Sequence, residues 1–226
     1  MDLLIDDPAT EQLFKEILTK IRFLKNGETA AQMKSRGMTY KINWGASVIS
    51  LRELAKNYDK NHLLALKLWN KQWRETLIMA TLLDEPDKMT EEQMDFWTKS
   101  FPTSEIAEQA VANLFVHSKF AYVKALEWCR GKKHLVRYTG LHLMGRLAMI
   151  DKKAIDEMFD PFFEVIFPLI KDPALGQIFY RNMLIVANRS DYLREKCKGF
   201  LELALEMEED HPKKIAELLL EDLADL

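Results

Sequence analysis

The sequence predicts an all-α fold, either an α-solenoid or a compact bundle of about twelve helices. Apolar residues recur at helical spacing along most of the chain. Glycine and proline number only 8 and 7 among 226 residues, too few for the turns of a many-stranded fold. Leu, Ala, Met, Lys and Glu, which favour helices, are abundant. The length suits one domain, which we assign to residues 1–226.

The first elements are two helices and a loop. Apolar residues with a 3.6-residue period predict a helix over residues 9–25, and Asn26-Gly27 is a stop signal. A short helix over residues 28–36 is expected next. Two glycines mark residues 37–46 as a loop.

The middle of the chain carries polar residues that can cap helices. The expected N-caps are Ser47 or Ser50, Asn61 and Thr90. Further helices are expected over residues 76–83, 104–115, 119–129 and 133–148. Pro86 and Pro102 separate them, because the residue before a proline disfavours helix.

The last third is expected to contain four helices and one interrupted stretch. These elements are residues 152–159 capped by Asp151, an apolar stretch at 162–170 interrupted by Pro161 and Pro168, and helices over 173–188, 191–208 and 211–226. Neighbouring helices with short links pack as pairs. The pairs recur about every 35–40 residues, which is typical of HEAT-like repeats.

Charge is distributed unevenly along the chain, although the net charge is only -3. Residues 117–198 hold 15 basic and 9 acidic side chains, whereas residues 199–226 hold 2 and 9. This asymmetry indicates either a face that binds a polyanion or ordinary solvated charge on successive helices.

Several classes of site are not expected. The two cysteines, Cys129 and Cys197, fit no ligand spacing and indicate free thiols in a reducing cytosol. His134 and His142 lack acidic residues that would complete a metal site, so we expect neither metal nor cofactor. No signal peptide or membrane span is expected, which predicts a soluble, cytoplasmic protein. We also expect a monomer.

One region has a more specific pattern. Its segments are Asn43-Trp44-Gly45-Ala46-Ser47, Leu51-Arg52-Glu53-Leu54-Ala55, Ala65-Leu66-Lys67-Leu68-Trp69, Trp73-Arg74-Glu75, Ala80-Thr81-Leu82-Leu83, residues 87–97 and Asn113-Leu114-Phe115. In this order and at these distances they resemble the DNA alkylation repair (AlkD-like) family. The resemblance covers residues 40–115 best.

The resemblance implies a fold and an activity. The fold is a helical-repeat structure with a basic concave face that binds duplex DNA. The activity is hydrolysis of the N-glycosidic bond of alkylated purines. A carboxylate there stabilises the oxocarbenium-like sugar and positions water.

The same resemblance implies candidate catalytic residues. Glu108 falls at the position of the family's catalytic aspartate, and Glu105 at the preceding acidic position. Ser104 replaces the family tryptophan of this motif. Each carboxyl group is one methylene further from the backbone than an aspartate, which changes the geometry of the site.

Candidate DNA-binding residues lie mostly in the basic section. They are Lys132, Lys133, Arg137, Tyr138, Arg146, Arg181 and Asn182. Lysine and arginine contact phosphates in most duplex complexes. Tyr138 and Asn182 fall where the family has an arginine and a tryptophan.

The sequence therefore predicts a DNA alkylation repair protein that binds duplex DNA and, if enzymatically active, excises alkylated purines. The alternative is a catalytically silent helical-repeat scaffold that binds DNA or a protein partner. The sign of the charge on the binding face distinguishes these two hypotheses.

Overall fold

The all-α prediction is confirmed. The structure, a computed structural model of the 226-residue chain, describes residues 7–224. Thirteen α-helices and several short 3₁₀ segments occupy the described residues, with no strand among them. By its internal contacts the chain divides into two compact units, Met1–Ser118 and Lys119–Leu226.

The first unit contains seven α-helices. They are α1 (Pro8–Phe23), α2 (Gly27–Ser35), α3 (Val48–Ala55), α4 (His62–Lys71), α5 (Arg74–Leu83), α6 (Glu91–Ser100) and α7 (Ser104–Asn113). Helix α5 is the centre of this unit, because α3, α4 and α7 all pack on it. Nearly all of its residues are buried, including the charged Arg74 and Glu75.

The second unit contains six α-helices. They are α8 (Ala121–Cys129), α9 (His134–Ile150), α10 (Asp160–Ile166), α11 (Gly176–Ala187), α12 (Asp191–Leu205) and α13 (Asp210–Ala224). Helix α9 packs between α8 and α11, and α12 packs against α11 and α13. The element expected over 211–226 runs past residue 224, beyond the described residues.

The predicted caps are confirmed. Ser47, Asn61 and Thr90 each accept a hydrogen bond from a backbone N–H three residues later, at 3.0, 2.9 and 3.2 Å. Each cap satisfies one of the N–H groups that have no partner inside the helix. Because Ser47 is the cap of α3, the alternative start at Ser50 is wrong.

The expected helix over residues 152–159 is also wrong. Asp151 accepts hydrogen bonds from the backbone N–H groups of Lys153 and Ala154, both at 3.1 Å, and this closes a turn. Only a 3₁₀ segment, Asp156–Phe159, follows. Pro161 lies in the first turn of α10, where its missing N–H is tolerated, so it does not interrupt that helix.

Most of the tryptophans pack in the core. Trp69 and Trp97 are 2% and 1% exposed, and their rings stack at 3.8 Å between centroids. Trp73 and Trp128 are also buried. Trp44 is half-buried in the loop before α3, with its ring edge against Trp73.

Candidate nucleic-acid interface

Glu105, the first acidic residue of the candidate motif, is held by a buried arginine. Arg74 at the start of α5 is 1% exposed and donates two hydrogen bonds to the Glu105 carboxylate, at 2.8 and 2.6 Å. Parallel hydrogen bonds of this kind fix both side chains in one geometry. Burial lowers the pKa of Arg74, but Glu105 and Glu75 raise it by more, so the guanidinium stays charged.

Tyr40 completes the environment of Glu105. Its hydroxyl donates to Glu105 Oε2 and lies 2.7 Å from Thr103 Oγ1. Burial, followed by the hydrogen bond to Glu105, raises the pKa of Tyr40, so it remains a neutral donor. Arg74 and Tyr40 thus donate hydrogen bonds to both oxygens of the Glu105 carboxylate.

The loop before α3 is attached to the same network. Glu75, fully buried, accepts hydrogen bonds from the backbone N–H groups of Trp44 and Ala46, at 3.1 and 3.3 Å. Arg74 donates to the carbonyl of Ala46 at 2.7 Å. Gly45 between them has φ 72°, and a Cβ there would lie 2.0 Å from Asn26 O, so no other residue fits.

Arg74 and Glu75 lie within the family-like segment, and neither was among the predicted site residues. The signal was two adjacent charged residues in an otherwise apolar helix. Buried charges need partners, so such a pair predicts an ion-pair network.

Glu108 lies one turn beyond Glu105 on α7 and is half-buried. Its neighbour Gln109 accepts a hydrogen bond from Arg52 at 3.3 Å. Ser104, in the place of the family tryptophan, is exposed. The aromatic wall that the family motif implies is therefore missing from this position.

Lys132 and Lys133 lie directly before α9. Both side chains are exposed, and neither forms an ion pair with a carboxylate of the described residues. Helix α9 has 17 residues and begins at His134, so its positive dipole end adds to the charge of the two lysines. Together, the two lysines and the helix dipole favour the binding of a phosphate group.

Other candidate residues of α9 are partly engaged. Arg137 forms an ion pair with Asp172 at 2.8 Å, and both side chains are about one quarter exposed. Tyr138 is half-buried, with its ring 6.2 Å from that of His134. Arg146 is half-buried and donates to Met149 Sδ at 3.3 Å.

Arg181 on α11 is exposed and lies close to His142, which was not among the predicted DNA-binding residues. Its Nη2 is 3.5 Å from Nδ1 of His142, which is 7% exposed. Tyr138, His142 and Arg146 recur every fourth residue of α9 and so share one side of the helix. That spacing was readable from the sequence.

The expectation that Asn182 contacts DNA is not retained. Its side chain is 0% exposed and donates to the carbonyl of Ile178 at 2.7 Å. Its Oδ1 faces Gly145, where an added Cβ would lie only 1.9 Å away. The absence of a Cβ at Gly145 therefore allows Asn182 of α11 to pack closely on α9.

The more C-terminal cations have acidic partners. These ion pairs are Arg189–Asp156, Arg194–Asp191, Lys196–Asp160 and Lys198–Glu195. Arg189 also donates to the carbonyls of Ala148 and Asp151. These residues do not extend the patch of Lys132 and Lys133.

The described residues contain no group of three or more His, Cys, Asp or Glu side chains that could hold a metal ion. Both cysteines are buried free thiols, and burial raises the pKa of each to about 12. Within residues 7–224, no helix combines the length and apolar character needed to cross a membrane.

Comparison with known proteins identifies the family of this chain. A family model described as DNA alkylation repair enzyme matches residues 17–174. No curated protein matches the sequence. A solved structure from a new family of proteins related to the HEAT-like repeat DNA glycosylases, with affinity for branched DNA structures, is similar in fold. It is 17% identical, has a TM-score of 0.77, and the match covers 94% of each chain.

The structural similarity confirms the HEAT-like helical-repeat fold; at this identity it shows the fold alone. The family match extends over more than half of the sequence, including the Arg74–Glu105 network and all of α9. The chain belongs to the DNA alkylation repair enzyme family.

Proposed function

We propose that this protein binds DNA through phosphate contacts from its second unit, and that Glu105 takes no part in base excision. The observation that carries the DNA-binding proposal is the exposed Lys132–Lys133 pair directly before α9. Lysines without acidic partners are available to displace the counterions that surround DNA. Family membership supplies the class of ligand.

The remaining cations of α9 and α11 support a longer contact. Arg146 and Arg181 reach the surface on neighbouring helices of the second unit. Arg137 lies one turn after Lys133 on α9, and it would have to exchange Asp172 for a phosphate to join this contact. The hydroxyl of Tyr138 can donate to a phosphate oxygen but adds no charge. Such contacts fix the position of a duplex without reading its sequence.

Branched DNA is a relevant ligand besides the regular duplex. The similar solved structure comes from a family described as having affinity for branched DNA. Binding carried mainly by phosphate contacts depends on the arrangement of backbones and not on bases. A four-way junction and a duplex of equal length should therefore be compared.

Excision of alkylated purines through Glu108 is a second candidate activity. Glu108 lies one turn from Glu105 on α7 and falls at the position of the family's catalytic aspartate. A half-buried carboxylate can stabilise a developing oxocarbenium ion. The alternative is a family member that binds DNA without hydrolysing the N-glycosidic bond.

Fluorescence anisotropy of labelled duplex and junction DNA tests the proposal. Affinity should fall steeply between about 50 mM and about 200 mM salt, because each phosphate contact releases counterions. A chain that does not bind either DNA at low ionic strength would leave the protein-binding scaffold as the better hypothesis.

A further inference from the structure

The second unit has an open apolar groove that is separate from the α9 cations. It has a volume of about 1090 Å³ and lies between α12 and the segment formed by α10 and the following 3₁₀ turn. Its apolar lining comes from Phe163, Phe167, Tyr192, Gly199, Phe200 and Leu203. This exceeds the upper end of ordinary small-ligand pockets and has room for several bulky side chains.

The floor of the groove is a rigid aromatic cluster. Phe200 is 6% exposed, and its ring centroid lies 5.3 Å from Phe167, 6.1 Å from Phe163 and 6.0 Å from Phe179. Rings at these distances attract one another and fix their mutual orientation. The groove is therefore formed before any partner arrives.

Gly199 keeps the groove open. It lies in the interior of the 15-residue helix α12, where glycine destabilises a helix relative to alanine. A Cβ added to Gly199 would meet no atom within 4 Å, so close packing does not require glycine there. Any larger side chain would instead occupy space in the groove.

Helix α12 has one buried apolar stripe, formed by Leu193, Cys197, Leu201 and Ala204. On its outer side, Tyr192 and Leu203 are 38% and 57% exposed and lie at helical spacing from Gly199. A surface helix normally buries its large apolar residues on one face, so these two exposed side chains are suited to a partner.

The rim of the groove is negatively charged. It carries Glu164, Asp191 and Glu195 against one cation, Lys196, which already pairs with Asp160 at 3.3 Å. Asp191 and Glu195 are 93% and 71% exposed and pair with cations of the same helix, and such solvent-exposed pairs are weak. Like charges disfavour an acidic occupant or a DNA backbone here.

We propose that this groove binds an amphipathic helix of a protein partner, with bulky apolar side chains facing the aromatic floor and Lys or Arg at its edges. Apolar grooves that bind helices contact apolar side chains that recur at helical spacing along the bound helix. The acidic rim selects a basic helix. The protein would then hold a protein partner on one surface and DNA on another.

Selection from a phage library of random 16-residue peptides (~10⁹ clones) against the immobilised full chain tests this proposal. Enriched peptides should carry apolar residues at helical spacing and an excess of Lys and Arg. Synthetic copies should bind Gly199→Met at least about tenfold more weakly than the wild type. Gly199→Met should fold normally, because methionine favours helix.

Two controls separate this proposal from the others. Gly27→Met changes another helical glycine with no atom within 4 Å of an added Cβ, and it should bind the peptides like the wild type. Glu164→Lys with Glu195→Lys should weaken binding of the basic peptides. DNA affinity of Gly199→Met should stay unchanged, because the groove is separate from Lys132 and Lys133. A loss of DNA affinity in this variant would contradict that separation.

Three results would overturn the groove proposal. The first is an enriched set without basic residues, or no enrichment at all. The second is peptide binding that survives Gly199→Met. The third is a dimer of the full chain in sedimentation velocity that Gly199→Met abolishes, because a second copy would then be the occupant.

Discussion

Arg74 and Glu105 form a two-hydrogen-bond ion pair between the first turn of α5 and the first turn of α7. Arg74 is almost fully buried, and Glu105 is 17% exposed. The pair ties two helices to the loop of Trp44 and Ala46 through Glu75. This ion pair supports our proposal that Glu105 has a structural role.

Replacing Arg74 with methionine should lower the free energy of unfolding by about 3–5 kcal/mol, because two carboxylates lose their cation inside the unit. Urea denaturation measures this. Arg194→Met is the matched control, since Arg194 pairs with an exposed aspartate, and it should cost less than about 1 kcal/mol. Equal losses of unfolding free energy in the two variants would mean that the buried ion pair stabilises the protein no more than the exposed one.

Gly145→Ala should destabilise the protein by about 1–3 kcal/mol, because the new methyl group would overlap Asn182 Oδ1. Gly199→Ala, also inside a helix but with open space around it, should stabilise by about 0.5–1 kcal/mol. Thermal unfolding of both variants checks the prediction. Two changes of the same sign would contradict the packing described for Gly145.

Asp84 should make stability depend on pH. Its carboxylate is fully buried and lies 2.7 Å from both His62 Nδ1 and Gln93 Nε2, and burial raises its pKa above 3.8. The folded state thus keeps a proton that the unfolded state releases at lower pH. Its contribution to stability is present below that ordinary pKa and is lost as pH rises through the raised one.

Asp84→Asn removes this titration and leaves the other carboxyl groups unchanged. We expect the stability of the wild type relative to Asp84→Asn to fall between about pH 4 and about pH 6. Urea denaturation at the two pH values measures the difference. A difference that stays constant or grows would contradict the assigned direction of the Asp84 pKa.

Base excision, where detectable, should depend on Glu108 and not on the charge of Glu105. Release of N7-methylguanine from methylated duplex should fall at least about tenfold in Glu108→Gln, since the carboxylate stabilises positive charge on the sugar. Glu105→Gln should be compared after correction for its folded fraction, because it weakens the ion pair with Arg74. Equal rates for wild type and Glu108→Gln would remove Glu108 from the mechanism.

Local signals in the sequence predicted the helices well. Ser47, Asn61 and Thr90 were identified because a cap depends on residues only three positions apart. The prediction of a helix after Asp151 was wrong for a related reason. An aspartate can close a turn as well as cap a helix, and the local pattern is the same.

The partners of charged residues could not be predicted in this way. Arg74 meets Glu105 across 31 positions, and Arg189 meets Asp156 across 33. The resemblance predicts that Asn182 contacts DNA, yet its buried side chain packs on Gly145 of a neighbouring helix. Contacts between residues far apart in the sequence depend on how the helices pack. Patterns among neighbouring residues do not predict that packing.

The lysine pair before α9 tests the central proposal most directly. The affinity of the full chain for duplex and junction DNA should be measured against salt, for the wild type and for Lys132→Ala with Lys133→Ala. The slope of log affinity against log salt should fall by about 2, near 0.9 for each lost phosphate contact. Lys213→Ala with Lys214→Ala removes the same charge from α13 and should leave the slope unchanged. Equal slopes for all three proteins would contradict DNA binding at the start of α9.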